Sequence, residues 1–96
     1  MMFPKPEKAV NGTAAGKRHM DKVRDLPCCI CGAWPSSAHH VIVGRFSQSK
    51  ASDFETIPLC YTHHQGALGI HTNQTAWVER HGPDTDYIDR TRRMIG

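Results

Sequence analysis

The sequence predicts an α+β fold: a small zinc-stabilised finger of two strands and a helix, with flanking helices on either side. Three observations predict it. Cys28 and Cys31 stand three apart, as do Cys60 and His63, giving two close ligand pairs across a longer loop, the spacing of a tetrahedral zinc site. Two short stretches with strand character, residues 38–43 and 56–59, fall between those pairs. Helical patterns occupy the segments before and after them. At 96 residues, with 39% hydrophobic and 7% aromatic content, the chain is one domain near the size where a core alone is only marginally stabilising. A structural zinc, worth roughly 10–16 kcal/mol in small zinc peptides, closes that gap.

Each element has a local reason. Residues 1–12 hold Pro4, Pro6, Gly12 and scattered charge and read as a flexible basic arm, leaving residues 13–96 as the folded domain. A helix over 13–24 is capped by Thr13, favoured by Ala14, Ala15 and Lys17, and turns Met20 and Val23 to the core. Pro27 stops it and opens the cysteine turn, where Gly32 suits the tight backbone after a two-cysteine knuckle. Residues 38–43 are apolar and β-branched around a His-His pair and predict a strand. Residues 44–52 are a polar loop. Pro58 places the second strand, 56–59, at an edge or bulge. A helix over 60–68 starts at the metal. The tail predicts a helix over 75–80, a break at His81-Gly82-Pro83, and a helix over 84–94 with Asp84 and Asp86 at its start and Arg90, Arg92 and Arg93 at its end.

Bulk properties narrow the class. No apolar run approaches the roughly 20 residues that span a bilayer, and the first residues lack the apolar region of a secretory signal. Four cysteines in such a chain point to metal ligation rather than disulfides, and so to a reducing cytoplasm. The net charge is +3, but residues 1–24 carry Lys5, Lys8, Lys17, Arg18, Lys22 and Arg24 against only Glu7 and Asp21. Such a segment suits phosphate contacts or serves simply as a solvated arm.

The zinc knot leaves ligating residues over. Cys29 reads as a packed thiol. His39, His40, His64 and His71 remain beside the knot and suggest a second, working metal site. His39 and His40 are neighbours on a strand and point to opposite faces of the local pleat, so one can hold a metal while the other faces the substrate, provided the strand twists or sits at an edge. The zinc ligand His63 anchors the turn that carries His64. His71 lies seven residues further, two turns along the same face if the helix lasts, although Gly66 and Gly69 weaken it.

A strand with a His-His pair, a loop, a Pro-Leu-Cys strand end and a helix opening Cys-x-x-His-His resemble the ββα-metal, or His-Asn-His (HNH), endonuclease finger. A narrower likeness covers about residues 17–95. Leu26-Pro27-Cys28-Cys29-Ile30-Cys31-Gly32, Ala38-His39-His40, Ala51-Ser52-Asp53-Phe54, Thr56-Ile57-Pro58-Leu59-Cys60, His63-His64-Gln65-Gly66 and Gly69-Ile70-His71 resemble the phage recombination-enhancement family of RecA-dependent nucleases. The resemblance implies a metal-dependent DNA endonuclease, phage or prophage encoded, acting in the bacterial host cytoplasm in recombination with a RecA filament. It implies His40 as the general base, and His39 and His64 as ligands of a catalytic Mg²⁺, Mn²⁺ or Zn²⁺. Where the general finger has its middle Asn, counting back from Cys60 gives Glu55, with Asp53 nearby in the shared segment. Asp53 is favoured as a loop-orienting or metal-site residue, and His71 as a ligand or phosphate contact.

The chemistry is consistent with that implication. A phosphodiester resists attack because its oxygens repel nucleophiles, so a divalent cation has charge to neutralise. A neutral imidazole can take water's proton at physiological pH. Arg45, Lys50, Lys17 and Arg18 are candidates for gripping the DNA backbone. Two other classes fit parts of the sequence: a non-catalytic zinc module binding DNA or a protein, and a thiol redox protein using Cys28 and Cys31. The redox class lacks a βαβ pattern around its cysteine pair.

Overall fold

The computed structural model describes residues 11–44 and 51–96. Helix α1 (Ala14–Arg24) begins where expected: the Thr13 hydroxyl accepts the Gly16 amide at 3.0 Å, satisfying one of the donors a helix start leaves over. Val23 is fully buried and Lys22 and Arg24 fall in the last turn, where cations favour the helix dipole. Gly16 lets the helix come close to Asp53, since a Cβ there would lie 2.8 Å from the Asp53 carboxylate. The preceding residues are not free of the domain. Asn11 Nδ2 donates to the Ala51 carbonyl, Asn11 Oδ1 accepts the Asp53 amide, and the Gly12 amide donates to Asp53 Oδ2. The expected arm therefore meets the fold from residue 11; residues 1–10 lie outside the described residues.

Strands β1 (Ser36–His40) and β2 (Thr56–Cys60) form a two-stranded antiparallel sheet. Its register sets Ser36 opposite Cys60, His39 opposite Ile57 and His40 opposite Thr56. The first strand lies two residues earlier than the pattern predicted and stops at His40. The amides beyond it have other acceptors: Val41 donates to the Glu55 carbonyl, and Ile42 and Val43 donate to the Asp84 carboxylate. Pro58 sits inside β2, tolerated because both strands of this sheet are edges. Its carbonyl accepts the Cys29 amide at 2.9 Å and so ties the cysteine turn to the sheet.

Every residue of β2 is buried. The core joins Val41, Ile57, Leu59 and Ile70 to Trp77, which is 2% exposed. After β2 comes α2 (Tyr61–His64), one turn rather than the expected helix over 60–68. The amides of Gln65 and Gly66 both return to the Tyr61 carbonyl, and the chain then folds back until Ile70 donates to His63 and His71 donates to the His64 carbonyl. Gly69 is the residue that permits this return: a Cβ there would lie 2.6 Å from the His64 oxygen.

Helix α3 (Gln74–His81) is capped by Asn73, whose Oδ1 accepts the Ala76 amide. Its Trp77 indole donates to the His63 carbonyl at 3.1 Å, pinning α2. The expected single helix over 84–94 is a 3₁₀ turn (Asp84–Tyr87) followed by α4 (Ile88–Ile95). Asp84, the first residue of that 3₁₀ turn, is turned inward and fully buried. From α4, the Arg92 guanidinium donates twice to the Phe54 carbonyl and holds the loop that carries Asp53. No helix among the described residues is long and apolar enough to cross a membrane.

Candidate metal centres and the flanking histidine

The ligand atoms of Cys28, Cys31, Cys60 and His63 all lie within 4.8 Å of one another, and this group can bind a structural metal such as zinc. The Cys31 and Cys60 sulfurs are 3.7 Å apart, and His63 turns Nδ1 to the Cys60 sulfur at 3.3 Å. The cysteine turn is closed by Gly32 donating to the Cys28 carbonyl and Cys28 donating to Ala33. Burial would push the Cys28 thiol up, yet amide hydrogen bonds from Cys60, Cys31 and Ile30 outweigh it and hold the thiol below its usual range. Amides aimed at a sulfur favour the thiolate, the form that ligates a metal. Cys29 is the opposite case. Burial, with the neighbouring Cys28, pushes its thiol up to about 12, so it stays protonated and packs against the core. All four cysteines are free of disulfides.

The second constellation brings together His39, His64 and His71, again with ligand atoms within 4.8 Å of one another. The three rings lie 4.8 to 5.1 Å apart, centre to centre. Each imidazole is oriented differently. His39 is buried and donates Nε2–H to Asp84 Oδ2 at 2.9 Å, which leaves Nδ1 as its free nitrogen. His64 is set by Ser37: the Ser37 hydroxyl gives its proton to the Leu59 carbonyl, so its oxygen accepts from His64 Nδ1 at 3.0 Å. The His64 Nε2 lone pair then faces His71 Nε2 at 3.1 Å. That gap is closed either by the Nε2–H tautomer of His71 donating to His64 or by a cation shared between the two nitrogens. Burial, reinforced by His39 and His71, pushes His64 down to about 4; burial and then His39 lower His71 as well. Both are neutral near pH 7, the state that can ligate a metal.

Asp84 was missed as a site residue. It is fully buried and accepts from His39, from the Ile42 amide at 2.7 Å and from the Val43 amide at 3.2 Å. Burial alone would raise its carboxyl, but the His39 hydrogen bond and the two amides hold it below the usual carboxylate range. A carboxylate behind a ligating histidine fixes its tautomer and raises its basicity. The sequence signal was present, an acidic residue after a glycine-proline break, but helix-start chemistry explains that pattern equally well.

His40, on the other face of β1, stays outside this trio and pairs with Asp53. Its Nε2 donates to Asp53 Oδ1 at 2.7 Å, leaving Nδ1 as the free nitrogen. Asp53 is nearly buried and its other oxygen accepts the Gly12 amide. Of the two acidic residues the sequence offered, Asp53 therefore meets the histidine side chain, and Glu55 meets Val41 through its backbone carbonyl. His71 joins the trio by the loop return at Gly69, not along a helix face. Lys17 and Arg18 are exposed on α1. Arg45 and Lys50 lie outside the described residues.

A family model described as "Protein of unknown function (DUF968)" matches residues 1–94, a span that contains both constellations. The chain belongs to the DUF968 family. This DUF968 chain is also 33% identical, over 70 residues, to the uncharacterized protein YdfU of Escherichia coli (strain K12). Those residues are 71% of this chain and 19% of that protein, so the chain spans about a fifth of its curated relative. No solved structure matches it.

Proposed function

We propose that this chain is a metal-dependent endonuclease of the ββα-metal type that hydrolyses phosphodiester bonds in DNA. The observation that carries the reading is the pairing of two differently prepared histidines on one strand. His39 belongs to an imidazole trio backed by Asp84 and Ser37, and the next residue, His40, is held by Asp53 outside it.

The donor set fits a divalent ion: three imidazoles, graded from buried His39 to exposed His71, leave one side of the site facing solvent. Imidazole donors favour Zn²⁺ and similar ions over Mg²⁺, which prefers oxygen, with Mn²⁺ between them. When bound, the ion would supply positive charge to the phosphate oxygens and to the leaving oxygen. His39, His64 and His71 would hold it. His40 accepts a proton from the attacking water at Nδ1, while Asp53 fixes the ring's tautomer and stabilises the imidazolium that forms. Lys17 and Arg18 contribute sequence-independent contacts to phosphates. A RecA filament is a proposed partner that presents the DNA.

Cleavage tests the reading on two substrates, bare plasmid and a RecA-held displacement loop, with Mg²⁺, Mn²⁺ or Zn²⁺ added. Wild type should cut at least one of them, and His40→Ala should cut about 10²- to 10⁴-fold more slowly while keeping its fold. The preferred substrate decides whether RecA is needed. Folded, zinc-loaded wild type that cuts neither would leave the non-catalytic DNA- or protein-binding module.

A further inference from the structure

The His64 ring has two working edges. Nε2 faces the histidine trio, and Nδ1 is held by Ser37, which lines a separate groove. That groove, about 340 Å³, is walled by Pro35, Ser36, Ser37, Tyr61, His64 and Gln65. The ladder ends where Ser36 pairs with Cys60, and Pro35 and Tyr61 are the next residues along the chain on either side. The depression is open to solvent, and its volume is at the lower end of small-ligand pockets, roughly 300–1,000 Å³.

The groove is dressed for a flat ring. Tyr61 is 73% exposed although it opens α2 beside the zinc knot, and Trp34, next to Pro35, is 67% exposed. Single exposed aromatics are ordinary at a surface. Here, however, Tyr61 shares a groove with the back edge of a candidate metal ligand, and Gln65 adds an amide that can both donate and accept. His64 thus stands between the trio and this wall, one ring edge on each.

We propose that the groove takes an unpaired nucleobase, stacked on Tyr61, beside the phosphate held at the histidine trio. This rests on the nuclease reading above. A base inside an intact duplex keeps both faces stacked on its neighbours and cannot enter, whereas an unpaired base has a free face that any aromatic ring can cover, whatever its sequence.

Binding and cleavage of a single-stranded oligonucleotide and of its blunt duplex, by zinc-loaded protein with Mn²⁺ present for cleavage, test the proposal. Wild type should bind the single strand more tightly. Tyr61→Ala, whose exposed side chain leaves the fold intact by circular dichroism and zinc content, should weaken single-strand binding by roughly 5- to 100-fold. Tyr61→Phe should restore it, because stacking needs the ring and not the hydroxyl, and duplex binding should not change in either variant. If wild type cuts DNA but Tyr61→Ala binds and cuts single strands like wild type, the groove proposal is overturned and the nuclease reading stands. Equal affinity of wild type for the two forms also overturns it. If binding prefers single strands in a Tyr61-dependent way but nothing is cut, the nuclease reading fails and the base-binding groove stands.

Discussion

At the Cys/His knot, which can bind a structural metal such as zinc, three sulfurs and one imidazole nitrogen converge, with backbone amides from Ile30, Cys31 and Cys60 around the Cys28 sulfur. At the trio the donors are all imidazoles, oriented by side chains: Asp84 behind His39 and Ser37 behind His64. The amides of Ile30 and Cys31 come with the cysteine turn and that of Cys60 with the end of β2, so the main chain itself sets the surroundings of the Cys28 sulfur. Side-chain orienters fix the tautomer of the histidine in front of them. The two sites meet in adjacent residues, since α2 gives His63 to one and His64 to the other. The knot thus acts as a jig: fixing His63 fixes the turn on which His64 stands.

This contrast can be broken most forcefully at the knot. Cys28→Ser, or stripping zinc with a chelator, should abolish the cooperative melt, since structural zinc contributes roughly 10–16 kcal/mol in zinc peptides. Trp77 fluorescence would report it, and a melt that survives zinc removal would show that the knot is not what holds the fold.

Next in size is Asp84→Ala. It leaves two amides and a buried imidazole without their acceptor and should cost about 3–5 kcal/mol in denaturant unfolding, as when one partner of a buried pair is removed. A loss below about 1 kcal/mol would mean that the carboxylate is not holding the junction of strand and C-terminal turn.

His64→Ala should separate the two sites outright. Metal analysis should find the first ion retained and the second lost, with the melting temperature within about 4–8 °C of wild type, a shift of no more than about 1 kcal/mol. Loss of both ions together would merge the sites into one. Smallest is Ser37→Ala, which removes only the orienter and should weaken metal binding at the trio by about 10- to 100-fold while leaving the zinc knot untouched. Titration calorimetry on zinc-loaded protein can read this; unchanged affinity would mean that packing alone sets the His64 ring.

The knot was legible in the sequence because its ligands come in local pairs, and three-residue spacing on a turn already dictates proximity. The trio was legible in part. His39 and His64 stood out by their place beside the knot, but His71 reaches it through a loop return that depends on Gly69, which a helical reading of residues 60–68 could only register as a weakness. The strand shift and Asp84 share one cause. A carboxylate 45 residues from His39 takes the amides of Ile42 and Val43, and no local propensity carries that information. Asp53 was favoured over Glu55 by the shared segment, but its 2.7 Å contact with His40 was not legible, because counting along a loop does not fix where its side chains point.

The Asp84 clasp also bears on how portable the finger is. A segment cut from the cysteine turn to His71 would carry every candidate ligand and look self-sufficient. It would leave behind the carboxylate that sets His39 and the arginine that steadies the Asp53 loop. Grafted onto another scaffold, such a piece should still take up zinc at its cysteines, yet His39 would turn without its guide and the loop that carries Asp53, the partner of His40, would lose its braces. The smallest transferable unit runs from Asn11, which braces Asp53, through Arg92.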